Sequence, residues 1–167
     1  MDDSAKKTAL RMIPYGIYVL GARQADGSPQ AATINWLTQT SFAPPLIAFA
    51  VKADSGAHAA LRATKKGAIS ILGKGQQGLA FTFFKPAVAE GDTLSGQKVH
   101  DGKSGAPIID EALASIDFEV VEIVAQGDHH VFVAEVTDAN LGQAIDGRPD
   151  DATLAMRDLG DKVFYGG

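Results

Sequence analysis

The chain has 167 residues, 46% hydrophobic and 21% charged, which suits one globular domain with a real core. Its formal net charge of -5 argues against a general phosphate-backbone binder, which needs a basic face. The absence of cysteine excludes disulfides, thiolate metal sites, Fe–S ligation and cysteine nucleophiles.

The first residues, Met1 to Lys7, are charged and lack an apolar signal core. Lys6 to Ile13 is predicted as a short helix ending before Pro14. Gly16 to Ala22 and Ala31 to Leu37 flank the turn signal Ala25-Asp26-Gly27-Ser28-Pro29 and read as a hairpin. Gly27 to Val51 carries no charge, but its polar residues and Pro44-Pro45 make it a poor membrane span. Leu46 to Lys52 reads as a buried strand, and Ser55 to Lys66 as a helix with Ser55 as N-cap. Ala68 to Leu72 is a further strand and Gln76 to Phe84 a further helix. Gly91 to Pro107 is glycine-rich and is expected to be irregular. Ser115 to Gln126 alternates, then changes phase at Val120-Val121, which predicts a β-bulge. Gly127 to His130 is turn-like, and Val131 to Thr137 is the return strand. About six strands with two or three short helices describe a mainly β, α+β fold. A single barrel-like domain over residues 1–167 is expected.

Gly73-Lys74-Gly75-Gln76-Gln77-Gly78 is a literal G-x-G-x-x-G between a predicted strand and helix. A dinucleotide fold also needs a second parallel apolar strand after that helix, and here the chain is polar and glycine-rich. A plain loop is the favoured reading.

Three other elements carry chemistry. Thr33 to Pro45 places hydroxyls and an amide on an apolar, charge-free run. Buried hydroxyls need partners, either a polar cofactor or backbone carbonyls at a barrel corner. Lys52-Ala53-Asp54-Ser55 combines a cation with a helix start, which suits one phosphate. The alternative is an ordinary cap with a solvated lysine. Adjacent His129 and His130 on a strand face opposite ways, so a shared metal ion is not expected. They read as a hairpin tip, or as a ring at the mouth of a cofactor pocket. No metal site and no G-x-S-x-G elbow is assigned.

In this order, the motifs resemble the flavin reductase-like, FMN-binding split β-barrel family. The residues that carry the resemblance are Ile13 to Leu20, Asn35-Trp36-Leu37-Thr38 with Ser41 to Leu46, Asp54-Ser55, Ser104 to Pro107, and Gly127-Asp128-His129 before Val131-Phe132-Val133. That family includes reductase components of two-component monooxygenases, flavoredoxins and modules fused to flavodiiron proteins. The resemblance implies that Asn35, Trp36, Leu37, Thr38 and Ser41 wrap the flavin and that Lys52 and Ser55 hold its phosphate. It places His129 near the flavin and the nicotinamide, as the catalytic residue. Phe84 and the stretch from Gly96 to Pro107 would border the pocket from a dimer partner. It further implies FMN, with FAD or free flavin as a substrate the alternative, and NADH or NADPH as donor. Hydride would pass from nicotinamide C4 to flavin N5 in a cytoplasmic homodimer that serves an oxygenase or another redox partner, with no nucleic acid or membrane partner. An electron carrier with tightly held FMN and a non-redox ligand-binding barrel are the competing readings.

Overall fold

The computed structural model describes residues 1–166, so Gly167, the last residue of the expected domain, lies outside the described residues. The chain begins with α1 (Asp3–Arg11), earlier than predicted. The Asp2 carboxylate accepts from the Ser4 and Ala5 amides at 2.8 and 3.2 Å and so fixes that start. Next come β1 (Tyr18–Arg23) and β2 (Pro29–Ile34), an antiparallel hairpin around the expected turn. The predicted strand from Ala31 to Leu37 is split in two. β2 stops at Ile34, Asn35 and Trp36 lie outside any strand, and β3 (Leu37–Ser41) follows. The reason is topological, because β2 and β3 are opposite edges of one sheet.

β4 (Leu46–Lys52), α2 (Gly56–Thr64), β5 (Lys66–Ile71) and α3 (Gln77–Thr82) fall within two residues of their predicted bounds. Long β10 (Ala114–Val124) and β11 (His129–Leu141) pair throughout. Their register skips at Val121, where Val120 faces Ala134 but Glu122 faces Val133. That is the bulge the phase change predicted. A short α4 (Pro149–Ala152) and a 3-10 helix (Met156–Leu159) follow.

The main sheet has seven strands in the order β2-β1-β5-β10-β11-β4-β3. Only two residues join its first and last strands, so the sheet must curl back on itself. The result is a split barrel, mainly β. Its interior is filled by Leu20, Ile47, Phe49, Leu61, Ile69, Phe118 and Phe132, with Phe49 and Phe132 stacked at 5.6 Å. A second core, including Val19, Leu72, Phe83, Leu94 and Leu154, fills the outer face of β1. β1 is therefore buried on both sides.

The stretch expected to be irregular is a small antiparallel meander instead. Its strands are β6 (Ala89–Glu90), β7 (Thr93–Leu94), β8 (Gln97–Asp101) and β9 (Pro107–Ile109). Strands of two to five residues give too little alternation to read. One local signal was present. Ser95-Gly96 forms the two-residue turn between Leu94 and Gln97, with φ of 49° and 78°, as a tight hairpin of this hand requires. The meander packs against β1 through Gly21, where an added Cβ would collide with the Pro107 carbonyl.

The glycine fingerprint is a loop from Gly73 to Gln76 that runs into the first residues of α3. β5 runs antiparallel to both neighbours, and the chain after α3 enters the meander. Among the described residues no helix is long and apolar enough to cross a membrane.

Gly21→Ala should force β1 and β9 apart. The expected cost is about 1–3 kcal/mol, in the range of other overpacking changes. It would be read as a lower midpoint in urea unfolding with an unchanged m-value.

Candidate functional site

The seam between β2 and β3 opens into a cavity of about 350 Å³. Its walls are largely apolar: Ile17, Ala32, Ile34, Ala50, Val51 and Phe83. Asn35, Lys52, Ser55, Phe84 and His129, five of the residues singled out from the sequence, also line it. Two of them meet by register. His129 on β11 lies directly opposite Lys52 on β4, so cation and imidazole share one end of the sheet.

Ser55 caps α2, as predicted. Its hydroxyl accepts from the His58 amide at 3.2 Å and donates to the Lys52 carbonyl at 2.8 Å. The helix N-terminus and the Lys52 ammonium thus border the same cavity. Lys52 is also paired with Asp54 at 3.2 Å, on the surface. Such an exposed pair is weak and leaves the lysine available to an anion.

Asn35 is 4% exposed, and its amide donates to the Tyr165 carbonyl at 3.2 Å. His129 is held from both sides. Nδ1 lies 3.0 Å from Asp128 Oδ1, and Nε2 lies 2.6 Å from the Tyr165 hydroxyl. The hydrogen bond to His129 and its charge hold the Asp128 carboxyl below its ordinary range. An ionised carboxylate only accepts, so Nδ1 carries the proton, and in the neutral ring Nε2 accepts from Tyr165. Burial, as the largest cause, raises the Tyr165 hydroxyl above its ordinary value and keeps it a donor.

Trp36 does not line the cavity. Its ring stands edge-on to His129 at 4.8 Å and tilted to Tyr165 at 5.5 Å, which supports the imidazole from behind. The Trp36 Nε1 donor is buried without a partner among the described residues. Leu37, Thr38 and Ser41 lie on β3, away from the cavity lining. The Thr38 hydroxyl donates to the Gln39 carbonyl at 3.3 Å. Thr33 donates to the Ala80 carbonyl at 2.7 Å, so its hydroxyl is satisfied by a backbone carbonyl of α3, where one at a barrel corner was the expected alternative to a cofactor.

Sequence reasoning missed Tyr165, Val163 and Phe164, which also line the cavity. Only the aromatic composition of this segment could have marked it, because nothing local shows that it returns across the barrel. A larger cavity of about 590 Å³ adjoins on the far side of the same segment. It is lined by Ile13 to Gly16 and Tyr18 of the resemblance motif and by none of the cofactor-binding or catalytic residues expected from the sequence.

His130 points away from His129, as strand alternation requires. Its Nδ1 lies 2.8 Å from Nε2 of His58, which is 4% exposed. This pair ties α2 to β11 beneath the helix N-terminus. Among the described residues no group of three or more potential ligands could hold a metal ion.

The split barrel thus borders one largely apolar cavity with a cation, a helix start and a buried amide. Residues 10–158 match the family described as flavin reductase like domain, and the chain belongs to that family. It is 38% identical to the reductase component of a 4-nitrophenol 4-monooxygenase/4-nitrocatechol 2-monooxygenase of Rhodococcus opacus, over 70% of this chain and 61% of that protein. It is 27% identical to diflavin flavoprotein A 1 of Synechocystis, over 85% of this chain but only 25% of the relative. The chain therefore spans less than two thirds of either relative's length. Among solved structures, the NADH:FAD oxidoreductase of Streptomyces globisporus in complex with NAD and FAD fragments superposes with a TM-score of 0.67 at 28% identity. That match covers 83% of this chain and 88% of the other.

Burial, the largest cause, lowers the His58 pKa below its ordinary 6.5, and the charges of His130 and Arg62 add to this. The unfolded chain therefore binds a proton near pH 6.5 that the folded chain takes up only at lower pH. Stability from this group is complete above 6.5 and is lost as pH falls towards the folded value. His58→Gln should consequently lose less thermal stability than the wild type between pH 7.5 and 5.5, as read by melting midpoints.

Proposed function

We propose that this protein is a flavin reductase that binds FMN and is driven by a reduced nicotinamide nucleotide. One observation carries the reading: a single apolar cavity brings together Lys52, the N-terminus of α2, the buried Asn35 amide and His129. These residues fit a flavin nucleotide. Lys52, Ser55 and the free amides of the first turn of α2 would hold the phosphate. The Asn35 side chain would meet the polar edge of the ring system, and Phe83, Val51 and Ile34 would cover its apolar body.

A bound flavin would supply the redox chemistry, hydride transfer from a reduced nicotinamide. The protein's part is to bind, orient and keep water out. His129 stands at the cavity with its Nδ1 proton fixed by Asp128, which leaves Nε2 as a defined acceptor, bonded to the Tyr165 hydroxyl. Its fixed orientation suits it to align the carboxamide of a stacked nicotinamide, where proximity carries much of the rate. The Streptomyces relative's name supports NADH as donor. The Rhodococcus relative's name supports an oxygenase as consumer of the reduced flavin. Phe84, half exposed and edge-on to Phe81 at 5.5 Å, offers an apolar rim to a second copy of the chain and supports a homodimer.

The test is an absorption spectrum of the protein titrated with FMN and FAD, followed by anaerobic stopped-flow mixing with NADH or NADPH. Rapid bleaching of the flavin bands is expected for a reductase. Slow bleaching at saturating nucleotide would favour an electron carrier, and no flavin binding would overturn the proposal.

The double variant Lys52→Ala/Ser55→Ala should bind FMN at least about tenfold more weakly, since each charge-assisted hydrogen bond contributes about 1.5–3 kcal/mol. Riboflavin, which lacks the phosphate, should bind wild type and variant alike. The lost cap costs about 1 kcal/mol of stability, so melting curves should accompany the titration. Phe84→Asp should shift the mass measured by light scattering from a dimer to a monomer.

A further inference from the structure

Both polar side chains that Asn35 and His129 offer to the cavity are already engaged by one residue. The Tyr165 carbonyl accepts from the Asn35 amide, and the Tyr165 hydroxyl donates to His129 Nε2. The Tyr165 ring sits 5.7 Å from His129 and 5.5 Å from Trp36, within the aromatic cluster that a planar ligand would join. Val163 and Phe164 line the same cavity, and they also line its larger neighbour. The segment is thus a partition between two cavities of about 350 and 590 Å³. The smaller is near the lower limit for a ligand pocket, roughly 300 Å³, before a stacked nicotinamide is counted.

The segment is also lightly held. Phe164 and Tyr165 are 51% and 48% exposed. Its outer anchors are the Arg11 guanidinium, which lies 4.3 Å over the Phe164 ring and donates from Nε to the Gly166 carbonyl at 3.3 Å. The chain reaches it through Gly160, which leaves the 3-10 helix at a φ of 134°. Its outer contacts are few, its inner ones to Asn35 and His129 are those a ligand would replace, and a glycine precedes it, so its displacement costs less than moving a strand.

We propose that residues 163–166 are an internal competitor for the flavin site: a strap that occupies the ligand's polar contacts and swings aside when the flavin enters. The inference rests on the flavin reading of the cavity. A protein whose binding-competent state is only partly populated shows an affinity reduced by that fraction. Releasing the strap must therefore tighten flavin binding, whereas a strap that formed part of the bound site would weaken binding when removed.

The experiment measures FMN dissociation constants by flavin fluorescence quenching for three proteins: wild type, Phe164→Ala/Tyr165→Ala and Arg11→Ala. The first variant removes two aromatic side chains from the cavity and with them the hydroxyl bonded to His129, leaving the Tyr165 carbonyl in place. The second loosens the strap from outside the flavin cavity, which Arg11 does not line. Tighter binding by about five- to tenfold in the first variant, and by a smaller factor in the second, is the expected result. Equal binding within twofold in both variants, or weaker binding in the first, overturns the strap while leaving the flavin reading intact. Absence of FMN and FAD binding in all three proteins overturns the flavin reading, and the strap with it. Far-ultraviolet circular dichroism should be unchanged by the first variant, and melting curves should accompany the titrations, because its two side chains give up contacts to Arg11, Trp36 and His129.

Discussion

The two-residue passage from β2 to β3 is the constraint on which the structure turns. β2 and β3 are the two edges of a seven-stranded sheet, yet only Asn35 and Trp36 separate them in sequence. A link that short spans roughly 10 Å when extended, so the edges must approach and the sheet must close into a split barrel. The backbone at the seam leaves the sheet ladder, and what it presents there becomes functional. Asn35 turns a buried amide into the cavity, and Trp36 backs the His129 ring.

Strand alternation then decides what each histidine does. Because β11 pairs with β4 in a fixed register, His129 shares a face with Lys52, and His130 is turned towards the helix. One becomes the cavity's imidazole, oriented by Asp128. The other meets His58 and fastens α2, whose first turn borders the same cavity. The electrostatic character of the site thus depends on backbone pairing more than on any one side chain. One exposed lysine and one helix terminus supply the positive potential in a chain whose net charge is negative.

Much of this was legible in the sequence where the signal is local. The turn before Pro29, the cap at Ser55, the bulge at Val121 and the opposite facing of His129 and His130 all follow from the chemistry of neighbouring residues. The glycine fingerprint at Gly73 was set aside correctly for a similar reason, since no second parallel strand follows. The meander between Ala89 and Ile109 was not legible, because its strands are too short to show a period and its pairing lies outside any one strand. The break at Ile34 was hidden as well. Nothing in Thr33-Ile34-Asn35-Trp36-Leu37 marks a change of sheet edge.

The sequence by itself determined the mainly β class, the position of the helix that borders the cavity, and the family, because these rest on residues adjacent in the chain. The tertiary structure alone decided which of the residues singled out from the sequence share a cavity. It gathered Asn35, Lys52, Ser55, Phe84 and His129 and left Leu37, Thr38 and Ser41 on a strand outside. It also brought Tyr165 back across the barrel to Asn35, a separation of 130 residues. Contacts of that range depend on the closure of the sheet and the path of the last segment, which no local pattern encodes.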